Sequence, residues 1–312
     1  MFEDFMKDDS LVCVALQQNY RLANALSDFL HAPLYIPAIT QFADGELEVL
    51  LWQEFLWHEK EVLLILPTAH CVHDELVKAF FLIDALKQRG VKKITWLLPY
   101  CGYARQCKDS TGVYQGHMAV VARMIEASGV DALMVIEPHD DLVSLFSIPV
   151  FQIRVHECIS YDIKTRFGSL EDICLVAPDD GALERVTLIA KELAVPLVHA
   201  VKKRFDTNQT RVMGIQGYAG YKRAIIIDDI IDTGSTALSV AQSLLDLGVD
   251  EIHGYFVHGI FSQGIQKILD KNIYRTLAVS PTVSLSNDHS YDTVKVFDIH
   301  HAYVQIRSLL HR

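Results

Sequence analysis

The stretch AIIIDDIIDTGST, from Ala224 to Thr236, runs from consecutive isoleucines straight into two adjacent acids, Asp228 and Asp229. A third acid, Asp232, is followed by Thr233, Gly234, Ser235 and Thr236. A β-branched run of this length suits a parallel strand covered on both faces. The small polar residues after it suit a tight turn that opens a helix. In open α/β sheets ligands bind beyond the carboxyl ends of the strands, which is where these acids stand. Backbone N–H groups and hydroxyls at a helix start favour an anion, and Gly234 allows the chain to approach it closely. Carboxylates would repel a phosphate but accept hydrogen bonds from sugar hydroxyls. The residues therefore fit a sugar phosphate, with its phosphate on the Asp232–Thr236 turn and its diol on Asp228 and Asp229. A capping role for Asp232 or Thr233 would be worth about 1 kcal/mol, but it would leave the other two acids unexplained.

Working outward, short apolar runs alternate with amphipathic segments. Strands are expected at Leu11–Leu16, Val62–Thr68, Ile94–Tyr100, Ala132–Pro138, Ile173–Asp179, Leu197–Lys203, Ala224–Asp229 and Ile252–His258. Helices are expected at Asp74–Arg89, His117–Ser128, Ala182–Ala194, Ser235–Leu247 and Ile299–Arg312. Gly90, Gly129 and Gly248 each stand where a helical segment should stop. This alternation predicts α/β architecture with parallel sheets. The strands are too numerous for one sheet of ordinary size, so two doubly wound domains are expected. Their join is placed in Ser147–Arg154, giving domains 1–148 and 149–312, with the last helix free to pack back on the first domain.

The 312 residues are half apolar, enough for a substantial core, and carry a formal net charge of −11. That balance argues against a general nucleic-acid binder, which needs a basic face. No apolar run reaches the roughly 18–20 residues of a membrane helix, and MFEDFMKDDS has no signal-peptide pattern. No membrane association and a cytoplasmic location are expected. The six cysteines include no CxxC pair and read as reduced thiols.

The acid pair with its following loop resembles the phosphoribosyl-pyrophosphate (PRPP) fingerprint shared by type I phosphoribosyltransferases and PRPP synthetases, and by itself does not choose between them. The first half chooses. Phe42-Ala-Asp-Gly-Glu46 resembles the FxDGE motif of the ribose-phosphate pyrophosphokinases, which are the PRPP synthetases. Pro99-Tyr-Cys-Gly-Tyr-Ala-Arg-Gln106, Glu137-Pro-His139, Ala177-Pro-Asp-Asp-Gly-Ala-Leu183, Lys202-Lys-Arg204 and Val257-His-Gly-Ile-Phe-Ser262 resemble further motifs of that family, in order. The resemblance runs from about Val12 to the C-terminus. Taken singly, Phe42 would be a core aromatic, Arg105 a surface ion pair worth little, and Lys202–Arg204 a solvated basic turn; their joint occurrence is the signal.

The resemblance implies two type I phosphoribosyltransferase-like domains with the active site at their junction. It also implies transfer of the pyrophosphoryl group of MgATP to the C1 hydroxyl of ribose-5-phosphate, giving PRPP and AMP. ATP would be bound by Phe42, Asp44, Glu46, Arg105, Gln106 and His139, with the Phe42 motif reaching a neighbouring subunit in a homo-oligomer. Mg²⁺ would be held by His139 and Asp179, and ribose-5-phosphate by Asp228, Asp229 and the Asp232–Thr236 loop. Lys202 and Arg204, on an expected mobile loop, would be catalytic, neutralising charge on the transferred group.

The chain departs from the family pattern at Cys107, Glu137 and Ser235, and it lacks the arginine-rich loop after Arg105 and the final tail of the common bacterial and mammalian enzymes. The segments Gly181-Ala-Leu-Glu184 and Pro138-His139 are closer to archaeal-type members, which implies weak or absent phosphate activation and ADP inhibition. A non-catalytic regulatory relative and a PRPP-consuming phosphoribosyltransferase are the alternatives. His70-Cys-Val-His73-Asp74-Glu75 has the composition of a metal cluster, but Asp74 reads more simply as a helix-start acid.

Overall fold

A computed structural model of the chain describes residues 10–53, 55–108, 116–206, 209–285 and 291–311; for 202–206 and 209–213 it describes the backbone alone. The chain forms two compact units. One runs to Ile153 and includes Thr282–Ser284 and the chain from Tyr303 onward; the other comprises Arg154–Pro281 and Leu285–Ala302.

The first unit contains β1 (Leu11–Ala15), α1 (Tyr20–Leu30), β2 (Leu34–Tyr35), β3 (Ala38–Gln41), β4 (Leu47–Leu50), β5 (Glu61–Ile65), α2 (Val72–Gln88), β6 (Lys93–Leu98), α3 (Met118–Ala127), β7 (Ala132–Ile136) and β8 (Val150–Ile153). Its six-stranded sheet has the order β2-β1-β5-β6-β7-β8, parallel throughout. Val62, Leu63, Leu64 and Ile65 are all buried, as a strand covered on both faces requires. Strands β3 and β4 pair antiparallel as a separate two-stranded sheet.

The second unit contains α4 (His156–Phe167), β9 (Ile173–Ala177), α5 (Asp180–Leu193), β10 (Leu197–Asp206), β11 (Gln209–Gln216), β12 (Arg223–Ile231), α6 (Ser235–Asp246), β13 (Glu251–Gly259), α7 (Gln266–Leu269), β14 (Tyr274–Val279) and β15 (Val294–Val296). Its order is β11-β10-β9-β12-β13-β14-β15, parallel except for β10 against β11. Helix α8 (His300–Leu310) begins in this unit and continues in the first, where Tyr303 and Arg307 pack on Phe29 of α1.

Without the β3–β4 hairpin and β11, both sheets have the same plan: second strand, first, third, fourth, fifth, sixth. The order reverses between β1 and β5 in one unit and between β9 and β12 in the other, and each reversal is a switch point of the doubly wound fold. Among the described residues no helix is long and apolar enough to cross a membrane.

One expectation is corrected. Lys202 and Arg204 do not follow a strand on a loop; β10 continues through them. Beyond His199 it pairs only with β11, forming a two-stranded ribbon with register shifts at Val201/Lys202 and Arg204/Asp206. The strand expected to stop at Lys203 runs on to Asp206, because a ribbon paired on one side needs no apolar alternation.

His253 of β13 is buried, and neither ring nitrogen makes a hydrogen bond. Phe167 packs edge-on to it at 4.7 Å, and Glu251 Oε2 lies 3.6 Å from Nε2. Burial, the largest influence, holds its pKa below the ordinary histidine value; Glu251 pulls it up, and Arg223 and Arg275 push it down. Below about pH 6.5 the unfolded chain gains a proton there that the folded chain refuses, so stability falls as the pH drops through that value. His253→Gln should show a smaller drop in Tm than the parent between about pH 7.5 and 5.5, measured by calorimetry. An equal drop in both proteins would remove His253 from the account.

Candidate functional site

Asp228 and Asp229 of the opening stretch lie inside β12, near its end, and Asp232 just beyond it. Pairing of β12 with β9 stops at Ile226↔Val176, whereas pairing with β13 continues to Ile231↔Gly259. Asp228 and Asp229 therefore stand where the strand has lost its neighbour on the switch-point side. Asp229 is 6% exposed, and its N–H donates to Asp228 Oδ1 at 2.9 Å.

The turn after β9 brings a third carboxylate to the same end of the sheet. Asp179 caps α5, its Oδ1 accepting the Ala182 N–H at 3.2 Å. Burial, and then repulsion from Asp229 and Asp179, holds the Asp228 pKa well above the carboxylate range; Arg185 acts the other way. Arg185 Nη1 lies 3.9 Å from Asp228 Oδ1. A site that resists its own ionisation in this way favours partners that donate hydrogen bonds or bring positive charge.

Between β12 and α6 lie only Asp232, Thr233 and Gly234. The cap position of α6 is Gly234, and no side chain caps the helix. Asp232 instead accepts the Ser262 N–H at 3.0 Å, fastening the loop to the segment after β13. Thr233 Oγ1 donates to Ser235 Oγ at 3.3 Å. Gly234 has φ +74°, and a Cβ there would meet Ile268 Cδ1 at 2.8 Å. The turn thus presents hydroxyls and the start of a helix without a side-chain cap, an arrangement suited to phosphate.

The first unit holds the other candidate residues. Phe42, Asp44 and Glu46 form the tip of the β3–β4 hairpin, closed by Phe42 N–H to Glu46 O at 2.8 Å and Glu46 N–H to Asp44 Oδ1 at 3.1 Å. Phe42 is 51% exposed, so its ring is accessible at the hairpin tip. Arg105 and Gln106 lie exposed on a short turn after β6. His139 is exposed beyond β7, after Glu137, a buried residue held at φ 40°. Strands β6 and β7 are neighbours, and Lys108 Nζ lies 3.8 Å from Asp140 Oδ2, tying the two turns together. Arg105, Gln106 and His139 thus share one end of a sheet, while the Phe42 hairpin is a sheet of its own. The side chains of Lys202 and Arg204 lie outside the described residues.

Cys107 is buried and donates to Ala104 O at 3.2 Å. Burial pushes its thiol up to about 11, so it is no thiolate at neutral pH. His73 Nε2 is 2.6 Å from Tyr103 Oη, and Glu75 is taken up by Gln18 and Lys78. Among the described residues no three His, Cys, Asp or Glu side chains enclose a metal position. The donors at the β9 and β12 ends are nevertheless hard carboxylate oxygens. They fit Mg²⁺ in its common mode, bound by one or two carboxylates with substrate phosphates and water completing the shell.

Sequence reasoning missed Arg185, although a charge within the apolar period of α5 was a signal for it. It also missed the tie from Asp232 to Ser262, which depends on tertiary structure.

The pattern describing the N-terminal domain of ribose phosphate pyrophosphokinase matches residues 11–129, and that of the phosphoribosyl transferase domain matches 145–285. A ribose-phosphate pyrophosphokinase of Ralstonia nicotianae is 30% identical over 285 residues, 91% of this chain and 89% of its own. That of Maricaulis maris is 30% identical and covers 85% of each chain. The crystal structure of phosphoribosylpyrophosphate synthetase from Mycobacterium smegmatis matches with a TM-score of 0.82 at 25% identity, over 97% of this chain and 99% of that one. With both domain patterns matched in that order and 30% identity over 91% of its length, the chain belongs to the ribose-phosphate pyrophosphokinase family.

Proposed function

We propose that the protein transfers the pyrophosphoryl group of MgATP to the C1 hydroxyl of ribose-5-phosphate. The C1 oxygen attacks the β-phosphorus, the bond from that phosphorus to the α–β bridging oxygen breaks, AMP departs, and the hydroxyl proton passes to solvent. The acid pair near the open end of β12 and the Gly234 turn that follows it carry the sugar-phosphate half of this reading, and the match of residues 11–129 to the N-terminal domain of ribose phosphate pyrophosphokinase separates it from a phosphoribosyltransferase. Hydroxyl acceptors and a phosphate seat stand side by side there.

The sugar diol is assigned to Asp228 and Asp229, and the 5-phosphate to Asp232, Thr233, Gly234, Ser235 and Thr236. ATP is assigned to the first unit: Phe42 stacks on adenine, Asp44 and Glu46 accept from its amino group, and Arg105, Gln106 and His139 meet phosphate and ribose oxygens. Asp179, with His139, is assigned to Mg²⁺. The ion, when bound, draws negative charge from the β- and γ-phosphates. Lys202 and Arg204 neutralise charge on the moving group from the β10–β11 ribbon. Such a reaction runs mainly on positioning and electrostatics. The exposed Phe42 ring supports a hairpin that docks on a second copy, hence a homo-oligomer. The protein is proposed to act in the cytoplasm without phosphate activation, as archaeal-type members would.

Incubation with MgATP and ribose-5-phosphate, without added phosphate, should yield AMP only when the sugar phosphate is present, read by nucleotide chromatography. No AMP even with phosphate added would point to the regulatory relative. Consumption of PRPP with a base, without AMP formation from ATP, would point to a phosphoribosyltransferase. Lys202→Ala should lower kcat by about 100-fold or more while ATP affinity stays within about twofold; wild-type turnover would remove Lys202 from the machinery. Gly234→Ala should cost more than about 1 kcal/mol of stability, since the native φ is wrong for alanine, and should weaken ribose-5-phosphate binding in calorimetry. An unchanged protein would contradict the seat.

A further inference from the structure

Helix α5 turns Ala182, Val186 and Ile189 into the core, the i, i+4, i+7 spacing of an apolar stripe. Arg185 occupies the i+3 place in that stripe. Its side chain is only 10% exposed, and that of Asp228, 3.9 Å away, is 14% exposed. Removing a guanidinium and a carboxylate from water is costly, and an apolar residue of similar volume would serve packing as well or better. The exposed ion pairs elsewhere on the chain, such as Lys222 with Asp250, carry no such cost. Helix α5 therefore carries a charge that packing does not need, directed at the strand end that holds Asp228 and Asp229.

Building on the function proposed above, we infer that Arg185 is a positioning residue for the sugar-phosphate half of the reaction. Its guanidinium charge, 3.9 Å away, draws the Asp228 carboxylate toward the orientation that accepts the sugar hydroxyls. It touches no reacting atom and acts through Asp228. Its loss should therefore fall on ribose-5-phosphate and spare ATP. Lysine keeps the charge but loses the planar fork, so it should recover only part of the function.

The test is calorimetric titration of the full chain with ribose-5-phosphate and, separately, with ATP. It uses the parent, Arg185→Met, Arg185→Lys, Asp228→Asn and the double variant Arg185→Met with Asp228→Asn, with Tm recorded for each. Arg185→Met should keep its Tm, weaken ribose-5-phosphate about 10-fold or more, and leave ATP within about twofold. Because both changes act through one carboxylate, adding Arg185→Met to Asp228→Asn should cost nothing further. If Arg185→Met lowers Tm, Arg185→Lys carries the test by weakening the sugar phosphate alone. Unchanged ribose-5-phosphate affinity in Arg185→Met, or a full additional loss in the double variant, overturns the role of Arg185 while leaving the site intact. A parent protein that binds no ribose-5-phosphate overturns the site reading itself, and this role with it.

Discussion

Negative charge gathered at the open end of β12 is the constraint on which the functional half of this protein depends. Asp228 and Asp229 are delivered by a strand whose preceding residues, Ala224 to Ile227, are all buried. Asp179 arrives from the adjacent turn, and its carboxylate is fixed by capping α5. Burial and mutual repulsion make Asp228 reluctant to ionise. An isolated buried cluster of this kind would be a liability. It becomes intelligible beside groups that donate hydrogen bonds or bring positive charge: Arg185 from within the fold, sugar hydroxyls and a cation from without.

The two units share one strand order, yet only one has acids at this slot. The strand that corresponds to β12 in the first unit is β5, and its continuation reads Leu66-Pro-Thr-Ala-His70, with no carboxylate pair and no Thr-Gly-Ser-Thr turn. The first unit instead displays Phe42 on its separate hairpin and Arg105, Gln106 and His139 beyond neighbouring strands. A shared architecture has been given different side chains, so sites must be argued from residues and not from the fold. That difference supports the proposed assignment of the sugar phosphate to the second unit and the nucleotide to the first.

Much of this was legible in the sequence because the parallel strands are buried on both faces. Val62–Leu66 and Ile173–Ala177 read as unbroken apolar runs, and the glycines after the helices mark where those helices stop. Elements without such a signal were passed over. No residue of the β3–β4 hairpin strands is fully buried, and the hairpin belongs to neither large sheet. Helix α4 buries Ser160 beside Cys158, Ile159 and Ile163, which weakens its apolar period. The sugar-phosphate turn was readable as chemistry, since acids, glycine and hydroxyls cluster within thirteen residues, Ala224 to Thr236. The capping alternative for Asp232 was settled only in three dimensions, where its carboxylate turns to Ser262. Cys107 is a packed thiol, buried beneath the turn that carries Arg105.

A crystal structure of the protein soaked with ribose-5-phosphate tests the central claim most directly. The account predicts the sugar hydroxyls within about 3 Å of the Asp228 and Asp229 carboxylates and the phosphate on the N–H groups and hydroxyls of Thr233 to Thr236. A phosphate seated anywhere else, or a sugar that leaves both carboxylates untouched, would contradict it.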